Sequence, residues 1–331
     1  MKIKKFKKIE IYKKKNKIDI KFVNHKFGAL RKNYVRVKMK YSNLNYKDIL
    51  TCEGAPGLVR SYPHTPGIDG AGIVQSSNSK KFVKNDKVFI VCEKIGINNH
   101  GTFSQYADFH QKYLKKNSGD ISLLNTMLIG SSGLTAKIAI NRILKTNKKS
   151  DLPILVTGAS GNVGLSAIFF LKSINKKISV ITTHRTKFKN IIKYIPDQII
   201  LREREKDIKL SNHFFKKKFS GCIDVVGGKI LEKIIPLLEK KSKVVLIGMT
   251  ADYYSNLNLS PIILDNITLD GINAEELDNK TKSKAWKEIE KITLNKKFPK
   301  QFYKIINFNN LIKSIKNYKK RTDFGKLIVR F

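Results

Sequence analysis

Between Leu123 and Ile272 apolar runs of strand length alternate with runs of helical period, and no other feature of the 331 residues restricts the fold as much. The strand-like runs are ILVTG, ISVITT, QIIL, CIDVVG, KVVLIG and ITLDGI. The helix-like runs are LLNTMLIGSSGLTAKIAINRIL, NVGLSAIFFLKSI, FKNIIKYI, SNHFFKKKF and KILEKIIPLLEK. A strand that pairs in parallel with the next needs a crossover, and a helix supplies one while covering a face of the sheet. The alternation therefore predicts a doubly wound parallel sheet with helices on both faces.

The first strand-to-helix turn of this region reads TGASGNVG, with glycines at Gly158, Gly161 and Gly164. Two readings compete for it: a tight turn with no ligand, and a dinucleotide-binding turn. In the second, Ser160, Gly161, Asn162, Val163 and Gly164 surround a pyrophosphate at a helix N-terminus, where unpaired N–H groups and the helix dipole favour negative charge. Gly161 then admits the pyrophosphate to the backbone and Gly164 lets the helix pack closely on the sheet. The alternating strands favour this second reading. At the end of the next strand an NAD-binding fold usually places a carboxylate for the ribose hydroxyls, whereas Thr183, His184 and Arg185 stand here. A guanidinium and a hydroxyl can bind a 2′-phosphate that a carboxylate would repel, so NADPH is preferred to NADH. Arg202, after QIIL, is a second cation able to reach the adenosine end, or else a solvated surface arginine.

Outside this region the texture is β-rich. YVRVKMKYS, AGIVQS, DKVFIV and FSQYADF are short strand-like runs separated by Gly, Pro, Asn and Asp clusters, and KIINF and KLIVRF resume the pattern after a helical run, NKTKSKAWKEIEKITL. The expected organisation is a β-rich domain from both ends of the chain, residues 1–122 and 273–331, with an α/β domain, residues 123–272, inserted between. The N-terminal MKIKKFKKIEIYKKKNKIDIKF reads as an edge hairpin with charged outward positions.

Several separated segments, in order, carry a resemblance: SNLNYKDIL, PGIDGAGIV, IGSSGLTA, VTGASGNVG, CIDVVGG and GKLIV. Over essentially its whole length the chain resembles the medium-chain dehydrogenase/reductase superfamily. Within it the chain resembles the zinc-free, quinone-oxidoreductase-like branch, and most of all the acrylyl-CoA reductase (NADPH) family. The resemblance implies an α/β protein with a GroES-like catalytic domain and an inserted Rossmann domain. It also implies NADPH-dependent reduction of the C=C bond of acryloyl-CoA to propanoyl-CoA. Zinc-dependent members carry a Cys near the position of Asn45 and Gly-His-Glu where this chain has Gly67, Ile68 and Asp69. Both expected ligands are missing, and three scattered cysteines, Cys52, Cys92 and Cys222, cannot form a four-cysteine lobe. No metal is expected. His64 and His100 lack a Cys or His partner at ligand spacing, and NNHGTFSQYA resembles the family's Asn-His-x-Gly-Gly loop with one residue fewer.

Asn45 and Tyr46 are the candidates at the reacting centre, Asn45 as a hydrogen-bonding amide and Tyr46 as a proton donor or as a wall beside the nicotinamide. Asp48 and Asp69 are expected to order loops. Lys326 occupies a position where the family has a cation able to reach the cofactor, and Thr135 and Gly248 complete the expected cofactor contacts.

Lys+Arg of 66 against Asp+Glu of 26 gives a formal charge of +40. One reading is a polyanionic partner, and a nucleic-acid-binding protein on a Rossmann scaffold is the alternative from another class. However, lysine, isoleucine and asparagine are abundant throughout, as in an AT-rich coding sequence, and the basic residues lack the interleaved aromatic platform of single-strand binders. No nucleic-acid partner is expected. A quinone oxidoreductase is the nearer alternative. No run approaches the ~18 apolar residues of a membrane span. A cytoplasmic protein without a membrane partner is expected, and a homodimer, with KVVLIG near the sheet edge as a pairing strand.

Overall fold

The computed structural model describes residues 5–15, 17–117, 121–147, 149–182, 191–195, 200–201, 217–321 and 325–331. The chain divides into two compact units, one of residues 1–131, 302–321 and 326–331, the other of residues 132–301 and 322–325.

The first unit begins with an antiparallel hairpin of β1 (Lys5–Lys14) and β2 (Lys17–Lys26). Lys5, Lys13, Lys14, Lys17, Lys21 and Lys26 are exposed, whereas Lys7 and Lys8 are half-buried and Ile9 and Ile11 fully buried, an apolar gain of about 1.5–3 kcal/mol for each isoleucine. Next come β3 (Tyr34–Leu44), α1 (Tyr46–Glu53), β4 (Gly70–Ser77), β5 (Lys87–Ile90), β6 (Tyr106–His110) and β7 (Lys115–Lys116). β3 alternates as a half-buried strand should, with Val35, Val37 and Met39 inward. Its length lets it host several partners. β4 pairs along one edge, with register shifts at Arg36/Val37 and Met39/Tyr41. On the other edge β6 pairs with Tyr34–Lys38, and the last strand of the chain pairs with Tyr41–Leu44.

α2 (Leu123–Leu144) leads into the second unit, which contains β8 (Ile154–Thr157), α3 (Asn162–Ser173), β9 (Ile178–Thr182), β10 (Ile200–Leu201) and β11 (Gly221–Asp224). It continues with α4 (Gly228–Ile234), β12 (Lys243–Leu246), α5 (Leu259–Leu264), β13 (Thr268–Gly271) and α6 (Asn279–Asn295). All pairings in its sheet are parallel, in the order β10-β9-β8-β11-β12-β13. β8, β9 and β11 are buried at every position, the signature of a sheet covered on both faces. The strand order reverses between β8 and β11, the switch point at which doubly wound folds bind ligands. The chain then returns to the first unit with β14 (Tyr303–Asn307), α7 (Leu311–Lys316) and β15 (Lys326–Arg330), and β15 pairs with β3.

Three expectations differ from what is observed. The chain returns to the first unit at Phe302, not at residue 273, because α6 buries Lys282, Ala285, Trp286 and Ile289 on one face. Its Glu288 accepts hydrogen bonds from Lys137 Nζ at 2.5 Å and Asn141 Nδ2 at 2.9 Å on α2. Second, α2 is long and apolar enough to cross a membrane by length and composition, although 78% of its apolar window is buried inside the protein, as in a core helix. Third, β12 (KVVL) does lie near the sheet edge, one strand in from β13, but it pairs with β11 on one side and β13 on the other and so is not open as a pairing strand. The helix expected over SNHFFKKKF and most of that over FKNIIKYI lie outside the described residues.

Candidate active site

In the first unit, Asn45 lies at the junction of β3 and α1, where it caps the helix. Asp48, three residues on, accepts the Asn45 backbone N–H at 2.8 Å through one oxygen and the Ile68 N–H at 2.9 Å through the other. This is a capping box whose acid also ties the helix start to the PGID turn. The neighbouring residue of that turn, Asp69, is fully buried and receives three donors: Asn45 Nδ2 at 2.9 Å, Ser131 N at 3.0 Å and Ser131 Oγ at 2.5 Å. Its carbonyl accepts Ser42 Oγ at 2.6 Å and Thr102 Oγ1 at 2.5 Å. Both acids therefore order loops, as expected of them.

Ser131 is presented to Asp69 by a break in α2. Gly130 has φ 56° and ψ −164°, and a Cβ there would lie 2.6 Å from Asp69 Oδ2 and 2.9 Å from Asn43 Nδ2, so both conformation and space require glycine. A helix break orphans the carbonyls before it. Lys326, fully buried at the start of β15, satisfies two of them, donating from Nζ to the carbonyls of Leu128 and Ile129, the latter at 3.0 Å.

Burial pushes Asp48 up to about 8, with the nearby Asp69 charge adding to the effect and the two backbone N–H bonds opposing it. Burial also raises Asp69, against the donors from Ser131 and Asn45 and the charge of Lys326. Lys326 is pushed down to about 7 by burial, with Asp69 opposing. The charges of Asp69 and Lys326 thus each favour the other's ionised form.

Of the two residues expected at the reacting centre, Asn45 is 6% exposed and its amide hydrogens go to Asp69 and, at 3.3 Å, to the Asn43 carbonyl. Tyr46 is 39% exposed. His100 is exposed, with its ring stacked on that of buried His64 at 5.4 Å and its Nδ1 accepting the Thr65 N–H at 3.2 Å. Among the described residues no group of three or more His, Cys, Asp or Glu side chains converges on a metal position. Cys52, Cys92 and Cys222 are free and buried.

In the second unit, the glycine turn joins β8 to α3 at the switch point. Gly158 has φ 57°, and a Cβ there would meet Val225 Cγ2 at 2.4 Å. At Gly164 a Cβ would lie 2.6 Å from both Ala159 Cα and the Gly158 carbonyl oxygen, so α3 packs against the turn's own backbone. Gly161 differs. It caps α3 with ordinary extended dihedrals, and the nearest atom to an added Cβ is the Gly158 oxygen at 3.2 Å. Among the described residues the space in front of it is otherwise open, beside the first-turn amides of α3 that include Asn162, Val163 and Gly164. Ser160 Oγ meets Thr182 Oγ1 at 3.3 Å at the end of β9.

Two residues that sequence reasoning passed over hold this turn. Asp224, at the end of β11, accepts Thr157 Oγ1–H at 2.5 Å and the Gly227 N–H at 2.9 Å, and Thr157 in turn accepts the Val225 N–H at 3.0 Å. Burial raises the pKa of Asp224, with these donors opposing. A carboxylate closing an apolar strand, in CID, was the available signal. A Cβ at Gly248 would lie 2.8 Å from the Val225 carbonyl oxygen, so β12 ends tightly against the same loop. Thr135 is buried in α2. Thr183, His184, Arg185 and Arg202 lie outside the described residues.

Residues 31–118 match the alcohol dehydrogenase GroES-like domain. The chain is 29% identical over 261 residues to YhfP of Bacillus subtilis, named for the quinone oxidoreductases, covering 78% of this chain and 79% of that one. It is 28% identical over 256 residues to the acrylyl-CoA reductase AcuI of Ruegeria pomeroyi, covering 77% of each. The solved structure of YhfP with NAD bound superposes with a TM-score of 0.88 at 26% identity, over 99% of both chains. The YhdH oxidoreductase of Salmonella enterica in complex with NADP gives 0.88 at 24% identity, over 98% of this chain and 99% of that one.

Proposed function

Taking the chain as a medium-chain dehydrogenase/reductase by fold and domain content, we propose that it is a metal-independent, NADPH-dependent reductase of the C=C bond of acryloyl-CoA, yielding propanoyl-CoA. The observation that carries this reading is the closed network at Asn45, Ile68 and Asp69. Where zinc-dependent relatives hold their metal, this chain has an engaged amide, an aliphatic side chain and a carboxylate whose oxygens accept three donors. Without a metal to polarise an alcohol or aldehyde, the acceptor must stabilise its own developing charge, as a conjugated thioester does. The likeness to the Ruegeria pomeroyi enzyme over 77% of both chains supports the same substrate class.

The glycine turn fits the cofactor, because an open space adjoins Gly161 at the N-terminus of α3, where the first-turn amides can receive a pyrophosphate. When bound, NADPH supplies a hydride to the substrate's β-carbon. The electron pair of the C=C bond moves to the thioester oxygen as an enolate, and the α-carbon takes a proton. Tyr46, exposed at the first position of α1, is the residue that presents a phenol for this proton. Asn45 is a positioning residue that fixes the start of α1 through Asp48 and Asp69. The test is NADPH consumption by the purified protein with acryloyl-CoA and with simple quinones. Acryloyl-CoA should give the higher kcat/KM, and Tyr46→Phe should lower kcat by about 10²–10⁴-fold with little change in KM, the usual range for a lost general acid. Equal or faster turnover of quinones would move the assignment to a quinone oxidoreductase, the class for which YhfP is named.

NADPH selection is assigned to Thr183, His184 and Arg185, with Arg202 as a second contact. A charge-assisted contact to a 2′-phosphate contributes about 1.5–3 kcal/mol, so Arg185→Ala should weaken NADPH about 10–100-fold. NADH affinity should be nearly unchanged. Equal losses for both cofactors, measured by fluorescence titration, would place the 2′-phosphate elsewhere.

A further inference from the structure

The N-terminal hairpin, the start of β3 and strand β6 enclose a pocket of about 290 Å³ that lies wholly within the first unit. One wall is aromatic and held by its own contacts. Phe6 lies tilted on Phe27 at 4.8 Å between ring centres, and Tyr106 meets both edge-on, at 5.8 Å from Phe6 and 5.2 Å from Phe27. The lining also carries Lys8, Lys26, Arg31 and Arg36, the imidazoles of His25 and His100, and one carboxylate, Asp108.

A basic surface on a chain of this charge means little by itself, so the pairing of each cation matters. Arg36 is bound fork to fork by Asp108, at 2.8 and 2.7 Å, and Lys8 pairs with Glu10 at 2.7 Å. Those four charges cancel. Lys26 and Arg31 have no carboxylate partner among the described residues; Arg31 rests over the Tyr34 ring at 4.0 Å. His100 accepts the Thr65 N–H on Nδ1, which puts its proton on Nε2 as a donor. His25 lies edge-on to Phe6 at 5.5 Å. The concavity thus gathers two cations without a carboxylate partner among the described residues and two imidazoles beside an apolar wall.

We propose that this pocket binds a phosphomonoester, with its dianion among His25, Lys26, Arg31 and His100 and the remainder of the molecule against Phe6 and Tyr106. The geometry suits a dianion with several donor sites better than a single carboxylate. The phosphomonoester could be the 3′-phosphate of a coenzyme A thioester, which rests on the acyl-CoA reading above, or that of a free metabolite.

His25 is less basic than a free imidazole because of burial and then the charge of Lys8, with Glu10 and Asp108 opposing. In His100 the causes are burial, Lys8 and His25, with Glu10 opposing. A bound dianion reverses that balance and raises the pKa of His25, so binding takes up a proton and affinity falls as pH rises through the new value. Between pH ~6.5 and ~8 the ligand's own charge changes little, its second pKa being about 6.

The probe is adenosine 3′,5′-bisphosphate, titrated calorimetrically into the full chain at both pH values. Binding should weaken with rising pH, and the His25→Gln/Lys26→Gln double variant should bind at least tenfold more weakly and with a smaller pH dependence, that of His100 alone. Lys316→Gln removes an exposed cation of the same unit outside the pocket and should bind as the parent does. Competition with acryloyl-CoA that raises KM at constant kcat identifies the coenzyme A end. Binding without competition identifies a free phosphomonoester and leaves the reductase reading untouched. No binding of the bisphosphate, parent-like binding by the double variant, or an equal loss in Lys316→Gln would each overturn the site.

Discussion

Asp69→Ala is expected to destabilise the protein by about 3–5 kcal/mol, because three buried donors lose their acceptor at about 1–3 kcal/mol each. The carboxylate accepts Asn45 Nδ2, Ser131 N and Ser131 Oγ, and its charge faces Lys326 in a site with no exposure. Alanine removes the acceptor for all three donors and leaves the ammonium to the carbonyls of Leu128 and Ile129 alone of its named partners. Asp69→Asn keeps the shape and should lose less. Because the Asp69 charge favours the charged form of Lys326, Asp69→Asn/Lys326→Met should cost less than the sum of the two single changes. Urea unfolding midpoints at constant m-value measure all four proteins. Additive losses would show that the pair is not coupled and that Lys326 serves the α2 carbonyls independently.

This network also marks where sequence reasoning stops. Periodicity exposes residues that share a face of one element, which is why the β-rich ends and the alternating middle could be read before any coordinates. β3 shows its period of two in YVRVKMKYS, and β8, β9 and β11 are mostly apolar and buried at every position, as in a covered sheet. Asp69 and Ser131 are 62 residues apart, and Lys326 is 198 from Leu128, separations about which local patterns say nothing. The one local hint was Gly130 inside an otherwise helical run, the kind of glycine that has a packing reason. Asn45 shows the same limit from the other side. Its residue type suggested a group facing substrate, yet the amide is spent on Asp69 and the Asn43 carbonyl. The placing of α6 was missed because an amphipathic helix declares that it has a buried face without declaring which unit covers it.

The glycines of TGASGNVG can be separated experimentally into those the fold needs and one that a ligand needs. Gly164→Ala places a Cβ 2.6 Å from two backbone atoms of the turn, Ala159 Cα and Gly158 O, neither of which can yield as a flexible side chain would. Overpacking of this kind costs about 1–3 kcal/mol, and because the turn must shift, cofactor affinity should fall with stability. Gly161→Ala meets only the Gly158 oxygen at 3.2 Å, and its dihedrals suit any residue. Its effect on stability should stay within about 1 kcal/mol, the scale of a glycine-to-alanine change at a permissive site. The added methyl would nevertheless occupy the space through which a pyrophosphate approaches the α3 amides, and NADPH affinity should drop at least tenfold. Both variants therefore lose affinity, but only Gly164→Ala should lose stability with it. If Gly161→Ala bound NADPH like the parent, the turn would be a strand-to-helix connection only, and the pyrophosphate would have to be sought elsewhere along the switch point between β8 and β11.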